Sequence, residues 1–275
     1  MLSVSTQISQ HDDLSLFERM LKSVSFAGEL IIFNMERTDP SALALFKKFN
    51  ARVINVKTPK IVEEIRSRQV KESSGDWVLI MDYDEVISLA LKGEIQAIIS
   101  NLASCSAYAL GRDNFSLGYP LRHGGWERDY VVRLIRRADF VDWPTNIHSS
   151  PVMKGSMIKT LHSMEHHKDA SLSQMVEKTN RYSDIESRLF FDGHLPPVTP
   201  LTLIRKSGME FIRRYFLKRG FLDGTIGLLQ SLYQGYSVFI TYAKLYEHQT
   251  IHNPEPAEGL YELQHQKNHS KNILK

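Results

Sequence analysis

The stretch GDWVLIMDYDEVIS, Gly75 to Ser88, sets an apolar run directly against three carboxylates, Asp82, Asp84 and Glu85. Trp77 to Met81 is continuous enough for a parallel strand covered on both faces, and ligands of open α/β sheets gather outside the carboxyl ends of such strands. Carboxylates two residues apart at a strand end can face one ion. Hard divalent cations prefer oxygen ligands and commonly bind through one or two carboxylates plus substrate phosphates. The chemistry open to this arrangement is therefore metal-assisted handling of a diphosphate. In the plainer reading Asp82 and Asp84 form a turn and cap a helix beginning near Ser88, both common uses of Asp.

The surrounding pattern supplies elements that could position these acids. Leu14, Phe17, Leu21 and Val24 recur at helical spacing, ELIIF (Glu29 to Phe33) is strand-like, and Asp39-Pro40 gives a cap and first-turn proline ahead of Leu43, Phe46 and Phe49. ARVINV (Ala51 to Val56) is the next strand, and a helix over Ile61 to Lys71 precedes Trp77. Strands alternating with helices predict a doubly wound α/β sheet. From Ser104 onward, segments such as SAYALGRDNF and DYVVRLIRR, separated by the glycine-rich turn RHGGW (Arg122 to Trp126), predict added mixed or antiparallel strands. A proline-rich linker, Asp192 to Pro200, leads into two helices, Leu201 to Arg219 and Gly224 to Glu247. The expected organisation is a catalytic domain over residues 1–191, a linker and helical extension over 192–247, and a polar, flexible tail over 248–275.

Of the 275 residues, 42% are hydrophobic and 24% charged, a globular composition. Lys plus Arg number 34 against 31 Asp plus Glu, which gives no case for nucleic acid as a partner. The lone Cys105 cannot form an internal disulfide, and the first residues lack the basic region and long apolar core of a secretory signal, so a cytoplasmic location is expected.

GDWVLIMDYDEVIS resembles the GDWVLxLDADExxS segment of family-2 glycosyltransferases. The later LRHGGWERDYVVRLIRR resembles the RHGGWxPDxxxRLFRR segment of bacterial members similar to lipopolysaccharide-core β-glucosyltransferases. The likeness extends to FERMLKSV near the start, GFLDGTIG in the C-terminal part and AKLYE beyond it. It implies a nucleotide-sugar-binding (GT-A-like) doubly wound mixed sheet with a C-terminal helical extension. It also implies a divalent metal, Mn²⁺ or Mg²⁺, and inverting transfer of a sugar from a nucleoside-diphosphate sugar to a hydroxyl of a glycan or glycolipid acceptor.

Under that resemblance Asp82 matches the acid that contacts ribose or the metal, and Asp84 the acid that holds the metal bridging the diphosphate. Asp129 matches the general base, with Glu127 close enough in sequence to serve instead. Arg66 matches an arginine that helps hold the donor. His148 matches a histidine that in related folds approaches the metal or diphosphate; a structural hydrogen-bonding role is the alternative. His162, His166 and His167 could suggest zinc if helical, but no cysteine or acid stands at metal-site spacing.

The departures lie at the nucleoside end. NMERTD (Asn34 to Asp39) stands where the family has DSGSTD, so Asn34 replaces the acid that accepts the uracil N3–H. Its amide can accept that bond or donate to cytosine, and UDP is favoured. QHDD replaces TKNE, leaving Asp13 as the nearest match to the family's acid. Two rivals stand beside the transferase. One is a nucleotidyltransferase, whose glycine-rich, lysine-bearing phosphate loop is absent from VSTQISQHDD. The other is a binding protein on the same fold that has lost activity.

Leu201 to Arg219 carries Arg205, Lys206, Arg213, Arg214, Lys218 and Arg219 against the single acid Glu210. Beside an apolar set, that bias suits an anionic membrane surface and a peripheral location. The uncharged run Gly224 to Ala243 is nearly long enough to span a bilayer, but Gln230, Ser231, Gln234, Ser237 and Thr241 make it a poor lipid-embedded span. The alternative is that both helices pack on the catalytic domain and keep the basic face in water.

Overall fold

The computed structural model describes residues 1–101, 105–146 and 149–252, which fall into two compact units. Unit 1 comprises Met1–Arg122 and Trp126–Ala170. Its first half runs β1 (Leu2–Ser9), α1 (Leu14–Ser23), β2 (Glu29–Met35), α2 (Pro40–Lys48), β3 (Arg52–Val56), α3 (Glu63–Lys71), β4 (Trp77–Met81), β5 (Glu85–Ile87) and α4 (Leu89–Ser100). The second half adds β6 (Ala107–Ser116), β7 (Tyr119–Pro120), β8 (Asp129–Arg136), β9 (Phe140–Asp142), β10 (Val152–Met153) and β11 (Met157–Asp169).

Nine strands form one sheet in the order β3-β2-β1-β4-β8-β6-β11-β5, with β7 paired to β6; β9 and β10 pair separately. The first four are mutually parallel, β8 is antiparallel to both neighbours, and β11 runs parallel to β6. This is the mixed α/β sheet expected from the sequence, including the antiparallel additions after Ser104.

Helix starts follow local chemistry. Asp13, Asp39 and Ser88 each accept backbone N–H groups at the heads of α1, α2 and α4, and Pro40 occupies the first turn of α2. Alternation along β4 divides the core. Trp77, Leu79 and Met81 pack with Phe17, Met20 and Leu91, while Val78 and Ile80 pack with Val70, Ile135 and Trp143 on the other face. Helices therefore cover both faces and bury β4 completely.

Unit 2 comprises His123–Gly125 and Ser171–Lys275. Its described elements are α5 (Leu172–Asp192), α6 (Pro200–Ile212), a π-helical turn Arg213–Leu217, a 3-10 turn Gly220–Asp223 and α7 (Gly224–His252). It starts at Ser171, earlier than the boundary at Asp192 expected from the prolines, because α5 is tied to α7. The Thr179 and Tyr233 hydroxyls lie 2.7 Å apart, and the Lys244 ammonium reaches Asp184 at 2.6 Å. His248 to His252 continue α7 rather than opening the tail. The Gln249 amide donates to the carbonyls of Leu195 and Pro196 and accepts from the Val198 N–H. The rest of the expected tail, 253–275, lies outside the described residues.

Two of the segments that carried the resemblance meet in unit 2. The Asp223 carboxylate accepts the His123 N–H at 2.9 Å and lies 2.7 Å from His123 Nδ1. Gly124 and Gly125 have φ of 77° and 81°, left-handed values that glycine adopts without a Cβ clash, and Gly124 N–H donates to the Lys218 carbonyl.

Candidate active site

β4 delivers Asp82 into a set of fixed donors. Oδ1 accepts from Gln7 Nε2 at 2.5 Å and Arg66 Nη2 at 2.6 Å, and Oδ2 accepts from Arg133 Nη2. Burial opposes ionisation of Asp82, but the charges of Arg133 and Arg66 and the bonds from Arg66 and Gln7 outweigh it. The carboxyl is held well below its ordinary range.

Arg66, on α3, is buried rather than lying on the helix surface. It also donates to Gln7 and Gln69, and it lies over the Trp143 ring at 5.9 Å.

Arg133 continues the network. It falls where the β6–β8 register shifts, Tyr108 facing Leu134 and Ala109 facing Val132, so it is the extra residue of a β-bulge, a device that re-aims a side chain. Its Nη2 also reaches Glu85 Oε1 at 2.8 Å, and Glu85 Oε2 accepts the Asp82 N–H. Glu85 Oε1 lies 3.5 Å from Arg112 Nη1, and Arg112 grips Asp129 through Nε and Nη2. Charges thus alternate without a break through Arg66, Asp82, Arg133, Glu85, Arg112 and Asp129. Each buried charge is neutralised by neighbours of opposite sign, the condition under which buried ions are tolerated.

Asp84 leaves this chain and is buried beside β11. Its Oδ2 lies 3.8 Å from His166 Nε2, while His166 Nδ1 lies 2.6 Å from Asn114 Oδ1. An amide oxygen only accepts, so Nδ1 carries a proton, and Nε2 is the ring nitrogen that faces Asp84. Asn114 Nδ2 lies 3.5 Å from Asp129 Oδ1. One carboxamide therefore stands between the Asp84–His166 pair and Asp129. The donor set suits a divalent ion that accepts mixed O and N ligands and completes its shell with phosphate oxygens and water. Among the described residues no group of three or more His, Cys, Asp or Glu is placed to hold a metal.

The other expected residues are placed as follows. Asp13 caps α1, accepting from the N–H groups of Ser15 and Leu16. Its neighbour Asp12 turns inward and accepts the Ser9 N–H, and burial pushes its carboxyl up. Asn34 is buried and locally engaged. Its Nδ2 donates to the Arg37 carbonyl and to Asn55 Oδ1, and its Oδ1 accepts the Arg37 N–H. Arg37 is buried as well, reaching the carbonyls of Ser9 and Asp12 and the Asp39 carboxylate. Glu127 is exposed two residues ahead of Asp129. His148 lies outside the described residues. His162 and His166 lie on strand β11, not on a helix, and His162 pairs with Glu94 at 2.9 Å.

Arg112, Asn114 and Arg133 were not singled out as site residues from the sequence, and Glu85 and His166, noted there among the strand-end acids and as a zinc candidate, were given no site role. For Arg112 and Asn114 a signal was present, the i, i+2 polar pair in the GRDN end of an otherwise apolar strand.

No family model matches the chain. Proteins similar to it over most of their length include an uncharacterized glycosyltransferase of Rickettsia bellii (strain RML369-C), 24% identical over 266 residues, covering 91% of this chain and 88% of the relative. Another, from Rickettsia typhi (strain ATCC VR-144 / Wilmington), is 26% identical over 266 residues, covering 90% and 88%. Among solved structures, the mannosyltransferase PcManGT from Pyrobaculum calidifontis, in complex with GDP-Man and Mn²⁺, aligns over 95% of this chain and 78% of its own at 11% identity and a TM-score of 0.44. Glucosyl-3-phosphoglycerate synthase from Mycobacterium tuberculosis, in complex with Mn²⁺, UDP and phosphoglyceric acid, aligns over 71% and 79% at 15% identity and a TM-score of 0.42.

Proposed function

We propose that the chain is a metal-dependent glycosyltransferase of the family-2 type that moves a sugar, with inversion, from a nucleoside-diphosphate sugar to a hydroxyl of a glycan or glycolipid. UDP is the favoured nucleotide. The observation that carries this reading is the convergence of Asp84, His166 and Asp129 around Asn114 at the end of β4. It sets Asp84 and His166, the pair this reading assigns to the cation, near a carboxylate that Arg112 orients. The glycosyltransferase names of relatives matched over nearly their whole length support the same reading.

In this proposal Asp84 and His166 would hold the divalent ion, which would supply positive charge against the diphosphate leaving group. The imidazole ligand favours Mn²⁺ over Mg²⁺, a harder ion. Asp82, with Arg66 and Arg133, forms the rigid floor on the donor side rather than supplying a second metal ligand. Asp129, aimed by Arg112, takes the proton from the acceptor hydroxyl as its oxygen bonds to the anomeric carbon and the bond to the diphosphate breaks on the opposite face.

A second reading, a nucleotide-sugar- or glycan-binding protein without transfer, is favoured by one observation. Asn34, at the nucleoside end, already has both sides of its amide engaged by Arg37 and Asn55. Nucleoside-diphosphate release from UDP-, CDP-, GDP- and dTDP-sugars, with and without Mn²⁺, separates the two. Metal-dependent release from one donor is expected. Metal-linked nucleotide binding without release, even with glycan acceptors present, selects the nucleotide-sugar-binding protein, and no nucleotide binding under any metal condition overturns the transferase and leaves only glycan binding.

A further inference from the structure

We propose that unit 2 docks on the surface of an anionic lipid bilayer through the outer face of α6 and the turns that follow it. The inference rests on unit 2 alone and is independent of the chemistry assigned to unit 1.

α6 is amphipathic in an unusual sense, because an apolar stripe faces outward. Leu201, Met209, Ile212 and Phe216 recur at i, i+8, i+11 and i+15, one side of a helix. All are exposed, Leu201 by 70%. Ile204 and Leu217 flank them at 72% and 75%, and Phe221 and Leu222 extend the stripe through the 3-10 turn. Exposed apolar side chains scattered singly need no explanation, whereas a contiguous run marks an interaction surface.

The charges on this segment choose the occupant. Arg213 and Arg214 are committed to Glu210, at 2.6 and 2.8 Å, and Arg214 also donates to the carbonyls of Gly124 and Gly125. Arg205 is exposed within the stripe, at i+4 from Leu201, and Lys218 and Arg219 are exposed beyond its Phe216 end. A cleft of about 530 Å³ opens beside it, with Phe190, Met209 and Tyr242 as apolar wall and Arg205 and Lys206 among its lining. Exposed apolar side chains interspersed with exposed cations match a bilayer whose acyl region lies under a layer of phosphates. A second copy of the chain fits poorly, because a two-fold contact would bring identical cations face to face. Among the described residues no helix is long and apolar enough to cross a membrane, so the geometry points to a segment lying in the interface plane.

The test is sedimentation of the full chain with vesicles of phosphatidylcholine alone or mixed with phosphatidylglycerol. Binding is expected only with phosphatidylglycerol. It should weaken as salt rises from about 0.1 M to about 1 M, where the Debye length shrinks from about 10 Å to about 3 Å. R205Q/K218Q/R219Q should bind about 100-fold more weakly, since each cation near an anionic surface contributes about a factor of five. I212S/F216S should lose the binding that survives at high salt. These side chains are exposed, and unchanged melting curves confirm folding; for any variant that melts early, the wild-type dependence on lipid and salt decides instead. Equal binding to both vesicle types, an unaffected triple variant, or no vesicle binding accompanied by a dimer that I212S/F216S dissociates would each overturn the proposal.

Discussion

Arg112 on β6 and Asp129 on β8 stand directly opposite each other in the antiparallel ladder, and the guanidinium holds the carboxylate through two nitrogens. Its third nitrogen faces Glu85 at 3.5 Å. The cation that aims the proposed base is therefore itself fixed by a fully buried acid, and the aim of Asp129 depends on residues it never touches.

Removing the charge of Asp129 should separate binding from transfer. Asp129→Asn is expected to keep nucleotide affinity and lower turnover by roughly 10²- to 10⁴-fold, the usual contribution of a general base. Glu127→Gln should change turnover far less. Single-turnover kinetics with matched calorimetry check both, and a reversal of the two effects moves the base to Glu127.

Arg112→Lys tests aim without deleting the acid. Lysine supplies a point charge and no planar fork, so the carboxylate keeps its charge and loses its orientation. Turnover should fall by about 10²-fold, the scale of a small misplacement, with the KM for donor unchanged. A rise in KM alone would assign Arg112 to donor binding.

Asp82→Asn should act chiefly on stability. It leaves Arg66 without its anion and Arg133 with Glu85 only, a loss of about 3 kcal/mol by urea unfolding, the lower end for breaking a buried pair. The sign with pH follows from the depressed carboxyl. Its contribution is complete above the ordinary value of 3.8 and is lost as pH falls through the lower folded value. The gap between wild type and variant should therefore be constant near neutrality and close below about pH 3.8. A gap that instead widened on acidification would contradict the depressed carboxyl.

For the metal, Asp84→Ala and His166→Ala should each abolish the dependence of nucleotide binding on Mn²⁺, while Asp82→Asn should not. Calorimetric titration of nucleotide with and without Mn²⁺ reads this directly. Unchanged metal dependence in His166→Ala would remove the imidazole from the assignment.

Asn34→Asp restores the acid of the related segment, yet it should destabilise this protein. The two donors of the amide now reach the Arg37 carbonyl and Asn55 Oδ1, and a carboxylate there would face two acceptors, at a cost of about 1–3 kcal/mol. A lower urea midpoint is expected. A higher one would show that the loop rearranges around the new charge.

Much of the α/β frame was legible because β2, β3 and β4 are apolar runs with capped helices between them. β1 was not, because LSVSTQIS reads as polar although it lies mid-sheet. Ser3, Ser5 and Thr6 are buried there, and Ser3 Oγ spends its polarity on Glu29 and the Gly75 N–H. α5 went unread because its buried positions include Ser183 and Ser187, small polar residues that leave little periodic apolar signal. Within the site, Asp82, Asp84 and Asp129 were visible as motif acids. Their partners were not, since these depend on what long-range pairing brings to each: Arg66 from α3 and Arg133 from a bulge to Asp82, Arg112 from β6 to Asp129, and His166 from β11 towards Asp84.

The three-residue β5 closes the far edge of the sheet against β11, whereas β4, which leads into it, lies in the interior. The acids between them belong to a passage across the sheet rather than to a hairpin. During synthesis, β1 to β4 and their helices can assemble while β11 has yet to emerge, and Asp84 meets His166 only once that strand has docked. Non-local strand pairing is the slow part of such assembly. A polypeptide stalled before Met157 would hold Asp84 without His166, so the pairing of these two residues waits on a strand that emerges more than seventy residues later.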